Sequence, residues 1–437
     1  MALRPEVYSR DEHPISRNSI DPDALKILYR LMRHGHKAYL VGGGVRDLLL
    51  NRKPKDFDIA TDATPRQIKE LFRNSRIIGR RFKLIHVFFR GNKIVEVSTF
   101  RDVSEEVAEP QEGESPEELI ITRDNTYGTE VTDAMRRDIT INGLFYDAGT
   151  FSIIDYVGGM RDIRDRVVRI IGDPDVRFPE DPVRLMRICR YAAKSGFNID
   201  AACYASIQRN AELIRNSATM RVFEEFKKDF ASGFALQTLR LLAETGLLAH
   251  LIPELAENDA ALLNEESDFA KTLAHSDEMV LDGEPRSPTV VLALISLFTR
   301  CPILDGLPEQ FRDREDIAEH VASGFRALAV PRKEREKIEA LLQAWHMLLT
   351  SGDDRSQIRQ LDRREVLDEF ELLIHLLYGK GPESDLLADL LEQGSERGRP
   401  DSGYHEEESR GFHQNRGPRR RRGGRGRGGQ RHRPPQQ

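Results

Sequence analysis

Cysteine is scarce: the 437 residues hold only Cys189, Cys203 and Cys301, an odd number in no metal-binding spacing. That argues against a disulfide framework and against a cysteine zinc site, and it points to a reducing compartment. Long hydrophobic runs are missing too. No stretch of about eighteen apolar residues exists to span a bilayer. The start, Met1-Ala2-Leu3-Arg4-Pro5-Glu6, carries no apolar signal core. A cytoplasmic protein with no membrane partner is therefore expected. Excess positive charge is also lacking, since the chain is −6 overall. Residues 410–437 hold ten Arg and no acid, which leaves the rest near −16. An acidic body does not hold a polyanion by general electrostatics. Nucleic-acid contact has to come from local grooves, metal ions and the cationic tail.

What is present is a chain long enough for roughly two to four domains. Asp21-Pro22-Asp23 caps a helix with the stripe Leu25, Leu28, Leu31 and Met32, ending at Gly35. Ala38 to Val41 reads as a strand, Gly42-Gly43-Gly44 turns it, and Val45 to Leu50 starts a helix, so free backbone N–H groups face one spot. That spot suits a triphosphate. Asp56-Phe57-Asp58-Ile59-Ala60 alternates acid and apolar residues. On a strand this places both carboxylates on one face and Phe57 and Ile59 on the other. Paired carboxylates suit Mg²⁺, a hard cation that shares oxygen ligands with phosphates. Alone, each piece has a bland reading, a solvated acid pair or a turn that closes a helix. Together and in this order they point to a nucleotide site.

Thr64-Pro65 caps a helix through Phe72, and two apolar runs, Leu84 to Phe89 and Lys93 to Ser98, flank Gly91-Asn92 as a hairpin. Residues 103–126 are acidic and read as a surface loop. Asp133 to Asp138 has a helical pattern, Leu144 to Asp147 and Phe151 to Tyr156 read as strands, and Gly158-Gly159 turns the chain toward Val167 to Ile171. From Phe178 the pattern is helical, with a helix from about Pro182 to Lys194 and others over Phe223 to Phe234 and Leu236 to Leu248. No internal repeat is evident. After Gln393 the composition turns to Gly, Arg, Glu, Ser and Pro, which cannot bury enough apolar surface to fold.

Several groups carry candidate chemistry. Glu96, between Val95 and Val97, is either a third metal ligand or a solvated strand acid. Arg136-Arg137-Asp138 offers guanidinium forks for phosphate, with Asp138 orienting an arginine or joining the metal cluster; the alternative is a surface ion-pair patch. Asp155 to Gly159 reads as structural. Glu180-Asp181-Pro182-Val183-Arg184 is either an intrahelical ion pair or a base reader. As a base reader, Asp181 supplies an acceptor beside the donor Arg184, which matches the amino group and ring nitrogen of adenine or cytosine. Arg80, Arg81 and Phe82, ahead of His86, suit single-strand contact, although Phe82 and His86 fit a core equally well. Arg419, Arg420, Arg421 and Arg422 lie in an Arg/Gly segment suited to salt-sensitive RNA contact or to a partner protein.

Taken in order from Leu25 to Leu255, these motifs resemble the class II branch of the nucleotidyltransferase superfamily, which holds bacterial poly(A) polymerases and CCA-adding enzymes. Gly79-Arg80-Arg81-Phe82 with His86 and the Arg-rich end resemble the poly(A) polymerase side, while Gly44 stands where many CCA-adding enzymes have Ala. The resemblance implies an α+β fold: an N-terminal arm (1–24), a mixed-sheet nucleotidyltransferase head (25–171), a helical neck with the base pocket (172–235), a helical RNA-binding body (236–393) and a disordered Arg/Gly-rich tail (394–437). Arg221 to Lys228 resembles the neck helix that supports the pocket. It further implies AMP transfer from ATP to RNA 3′ ends by two-metal catalysis. Asp56 and Asp58 would hold two Mg²⁺, with Mn²⁺ as the alternative metal. Asp138 would be catalytic, and Glu96 would lie near the metals. Gly42, Gly43, Arg46 and Arg137 would meet the phosphates, and Glu180, Asp181 and Arg184 would meet the base. The expected partners are RNA and ATP, with the RNA-decay machinery on the tail and no role for DNA. A CCA-adding enzyme and a non-catalytic RNA-binding protein on the same scaffold are the competing expectations.

Overall fold

The structure, a computed structural model, describes residues 4–79, 83–102, 127–284, 287–300, 314–351 and 366–379. The expectations for Arg80 and Arg81, for the acidic stretch 103–126 and for Arg419 to Arg422 lie outside the described residues. The strands are β1 (Glu6–Tyr8), β2 (Ala38–Val41), β3 (Asp58–Thr61), β4 (Ser75–Ile78), β5 (Leu84–Phe88), β6 (Ile94–Thr99), β7 (Leu144–Asp147) and β8 (Ser152–Asp155). They form one sheet in the order β1-β8-β7-β2-β3-β6-β5-β4. Every neighbouring pair is antiparallel except β3 and β6, which run parallel with Asp58 opposite Glu96. A separate parallel pair joins β9 (Val167–Val168) to β10 (Asn198–Ile199).

The period of two decides which residues face which layer. Leu40, Ile59, Ile85, Val87, Val95 and Val97 point to one face, where Leu28 and Leu31 of α1 (Pro22–Arg33), Val45 of α2 (Gly43–Leu49) and Ile68 of α3 (Pro65–Leu71) cover them. Phe57 packs on this same core. The opposite face carries a smaller cluster of Val41, Ala60, Phe100 and Phe145, closed by Ala134 of α4 (Glu130–Met135). Asp58 shares the parity of Ala60, so its carboxylate belongs to the second, less covered face.

Beyond the sheet follow α5 (Gly159–Asp165), α6 (Pro174–Glu180), α7 (Val183–Ser195), α8 (Ala201–Asn210), α9 (Thr219–Phe230) and α10 (Ala235–Glu244). From Pro174 on, the described chain is helical apart from the short β10. The mixed-sheet head followed by helices is the expected α+β architecture.

Several local expectations are corrected. The carboxylate strand starts at Asp58, so Asp56 lies in the segment just before it. α2 begins at Gly43 rather than Val45, with Gly42 (φ 74°) as its N-cap. The helix expected over Asp133 to Asp138 runs from Glu130 to Met135. Gly158-Gly159 opens a helix instead of a simple turn, because Asp155 caps it. Asp155 Oδ1 accepts from the backbone N–H of Val157, Gly158 and Gly159 at 3.0, 2.9 and 3.1 Å, and its Oδ2 from Met160 at 2.9 Å. Its structural reading holds. Glu180, Asp181 and Arg184 do not share one helix: α6 ends at Glu180, α7 begins at Val183, and Asp181-Pro182 forms the break.

Candidate nucleotidyl-transfer site

The glycine turn exists because β2 must reverse into α2 beside β3. Gly42 adopts a backbone conformation open mainly to glycine. A side chain there would come within 3.4 Å of Asp58 Oδ2 and 3.5 Å of Arg137 Nη1. Gly42, Asp58 and Arg137 are therefore neighbours. The cap position of α2 has no side-chain hydrogen bond to offer, so the first N–H groups of the helix have no side-chain partner at that cap.

Asp58 faces Glu96 across the parallel ladder. Burial pushes the Asp58 carboxyl up to about 6, with the charges of Glu96 and Asp56 adding to the rise and Arg137 opposing it. Three carboxylates thus lie close enough to feel one another, although among the described residues no three His, Cys, Asp or Glu side chains form a ready-made metal cage. Glu96 also pairs with His86, Oε1 to Nε2 at 3.2 Å, on the neighbouring strand. Asp56, Asp58 and Glu96 line one cavity of about 1460 Å³. Among the described residues its walls carry seven Lys and Arg side chains against four Asp and Glu, including Lys53, Lys55, Arg101 and Arg136 of the head and Arg187 and Lys228 of the helices. The acidic chain thus holds a locally cationic groove around its carboxylates.

Arg137 is anchored by Asp133, Nη2 to Oδ2 at 2.9 Å, and lies 5.4 Å over the Phe145 ring. Arg46 is only 4% exposed and is held by Asp47 at 2.7 Å and by the Asn142 amide oxygen at 2.9 Å. Its guanidinium ties the glycine turn to the segment ahead of β7. Asp138 is gripped by two arginines, Arg184 Nε at 3.3 Å and Arg187 Nη2 at 2.6 Å. Of the two roles expected for it, arginine orientation is the one with contacts in the structure.

Arg184 also donates to Glu180 Oε2 at 3.0 Å and to the Arg177 carbonyl at 2.8 Å. Asp181 is engaged elsewhere: its Oδ2 accepts from Arg221 Nη2 of α9 at 2.9 Å, and its Oδ1 is buried without a partner. A buried, unpaired carboxylate oxygen is an acceptor waiting for a donor. The helix that carries Arg221 is held to α7 by Arg190, which bridges Glu225 and, at 2.8 Å, Asp229.

Sequence reasoning missed Asp133, Arg101 and Arg187, and it treated Lys228 only as part of a helix. Asp133 stands four residues before Arg137, a helical ion-pair spacing that was legible. Arg187 and Lys228 carried no local signal, because long-range packing brings them to the carboxylates.

Residues 38–169 match the Poly A polymerase head domain, and residues 196–258 match the probable RNA and SrmB-binding site of polymerase A. Poly(A) polymerase I of Escherichia coli O6:H1 is 47% identical over 255 residues, 58% of this chain and 55% of that protein. The chain thus spans little more than half the length of that relative. Poly(A) polymerase I of Salmonella typhi is 38% identical over 343 residues, covering 75% of this chain and 72% of its own. The CCA-adding enzyme of Geobacillus sp. WCH70 is 38% identical over 239 residues, 55% of this chain and 56% of its own. Among solved structures, the Bacillus stearothermophilus CCA-adding enzyme in complex with CTP aligns with a TM-score of 0.60 and 27% identity over 86% of this chain and 83% of its own. The chain belongs to the tRNA nucleotidyltransferase/poly(A) polymerase family.

Proposed function

We propose that this chain adds AMP from ATP to RNA 3′ ends without a template. The observation that carries the proposal is that Asp58 meets Gly42 and Arg137 on one side and, with Asp56 and Glu96, lines a cationic cavity on the other. A carboxyl group raised by burial and by two acidic neighbours is short of positive charge, so the site fits hard divalent cations. Asp56 and Asp58 would hold them, two Mg²⁺ or Mn²⁺, with Glu96 close by. Bound there, the ions would supply Lewis-acid activation of the RNA 3′-hydroxyl and charge neutralisation on the triphosphate.

The residues of the chain provide positioning. Gly42 and Gly43 let the triphosphate approach the backbone, Arg137 meets its charge, and Arg46 braces the turn. Asp181 and Arg184 accept from and donate to the base edge, while Glu180 and Asp138 orient Arg184. No covalent intermediate is needed, because holding the hydroxyl in line with the α-phosphate supplies most of the catalysis. The same base pocket accepts cytosine, and a CCA-adding relative aligns in its CTP complex, so CCA addition is the second reading. The proposed setting is cytoplasmic, with RNA as partner and the RNA-decay machinery as a candidate for the tail. Among the described residues no helix is long and apolar enough to cross a membrane.

The test offers each of the four nucleotides with a generic oligoribonucleotide and with a tRNA lacking its terminus. Repeated AMP addition to both supports the proposal, addition that stops after C-C-A on the tRNA supports the second reading, and no addition leaves only an RNA-binding protein. Asp58→Ala is expected to lower kcat by at least about 10²–10³-fold with the fold intact by circular dichroism.

A further inference from the structure

We infer that a second cavity on the head holds the single-stranded RNA upstream of the 3′ end; this rests on the reading that the chain acts on RNA. The cavity, of about 540 Å³, lies between α1, the end of α3 and the tip of the β5–β6 hairpin. Tyr29, Phe72 and Phe89 form its aromatic lining, and Lys26, Arg30 and Arg33 its exposed cationic rim. The Arg30 guanidinium lies 5.4 Å over the Phe72 ring. No acidic side chain lines it among the described residues. In a chain whose body is near −16, such a patch is a local exception. Aromatic faces that stack bases, flanked by cations that meet phosphates, are the chemistry of single-strand binding.

Continuity with the catalytic cavity favours RNA over an acidic protein. Lys93 lines the catalytic cavity, and Lys26 lines the second. Both pair with Asp23, at 2.9 and 2.8 Å, so one ion-pair ridge separates the two spaces. Lys93 Nζ also lies 6.0 Å over the ring of Phe89, which lines the second cavity. A strand whose 3′ end is at Asp58 in the catalytic cavity would reach the second cavity across this ridge, with Tyr29 and Phe89 as its stacking surfaces.

The test uses the full chain and the double variant Arg30→Glu/Arg33→Glu with a fluorescent 20-nucleotide RNA, read by anisotropy across salt concentrations. We expect Kd to rise about tenfold and the slope of log Kd against log salt to fall by about 1.4, two lost phosphate contacts. In turnover assays the KM for the 20-mer should rise relative to that for a trinucleotide primer, which the catalytic cavity alone can hold. Unchanged Kd and slope, or a variant that loses only polyglutamate binding, would overturn the inference. The unsubstituted chain guards against a misfolded variant: 4-thiouridine placed upstream in the RNA should cross-link to Tyr29 or Phe89. Cross-links confined to the helices after Pro174 would refute it. If the unsubstituted chain adds no nucleotide, the catalytic reading fails, while Kd and cross-links still decide this one.

Discussion

Asp133 is the buried carboxylate on which the site arginines converge. It accepts from Arg137 Nη2 at 2.9 Å, Arg136 Nε at 3.2 Å and the Arg101 backbone N–H at 3.3 Å. Burial pushes its carboxyl up, but Arg137 and Arg136 outweigh that and hold it below the usual value of 3.8. A carboxylate depressed in the fold adds stability that is present above the unfolded pKa and is lost as pH falls through the folded one. Asp133→Ala should therefore cost about 3–5 kcal/mol at pH 7, because it strands two guanidiniums. Urea melts should show that cost shrinking below about pH 3.8, and a cost that stays constant down to pH 2 would contradict the assignment. Arg221 poses a subtler case. Its ion pair with Asp181 is half exposed, so the pair contributes about 1 kcal/mol at most. If it acts by aiming Asp181 at the base, Arg221→Ala should raise the KM for ATP about fivefold with little change in kcat, and Arg221→Lys should recover part of it. Equal KM values in variant and unsubstituted chain would make the pair merely structural.

At the scale of elements, the Asp155 cap of α5 joins the sheet to the helices that follow. One carboxylate serves four backbone N–H groups, and Gly159 is pressed so closely on the Thr140 carbonyl that a side chain there would clash. Asp155→Ala should lower stability by about 3 kcal/mol, measured by thermal melting, whereas Asp155→Asn should keep part of the cap. The same element shows what sequence could and could not tell. Gly158-Gly159 read as a turn because glycine pairs usually break structure, whereas the Asp155 carboxylate caps them into a helix start and the close fit against Thr140 requires glycine at 159. β2, the glycine turn, α2 and the β5–β6 hairpin were legible because each is a local pattern of apolar period and turn residues. β1 is three residues long and pairs with β8 nearly 150 positions later, so it left no trace in local periodicity. The parity that puts Phe57 and Ile59 in the core and Asp58 on the open face was readable. The parallel register that brings Glu96 beside Asp58 was not, because nothing in either strand names its partner. The helix start near Pro182 was readable, but the separate helix that ends at Glu180 was not, so the break at Asp181-Pro182 that turns Asp181 toward α9 stayed hidden.

Over the whole molecule, the charge distribution constrains how the proposed RNA substrate would be held. The body repels a polyanion at long range, and the cationic walls around Asp58 and the basic rim around Phe72 act only at contact. The ten arginines of residues 410–437 are the counterweight, since they bring long-range attraction that the body lacks. These two sources of affinity separate by salt. Each phosphate contact on a single strand contributes about −0.7 to the slope of log K against log salt. Removing residues 410–437 should therefore flatten that slope by several units if most of the arginines engage RNA. It should slow association most at low salt, yet leave AMP addition to a saturating trinucleotide primer at its full kcat. Stopped-flow association and primer extension on the truncated chain measure the two effects separately. A truncated chain that keeps the full slope would assign the arginines to a protein partner, and the cationic cavities of the body would then have to account for all RNA binding.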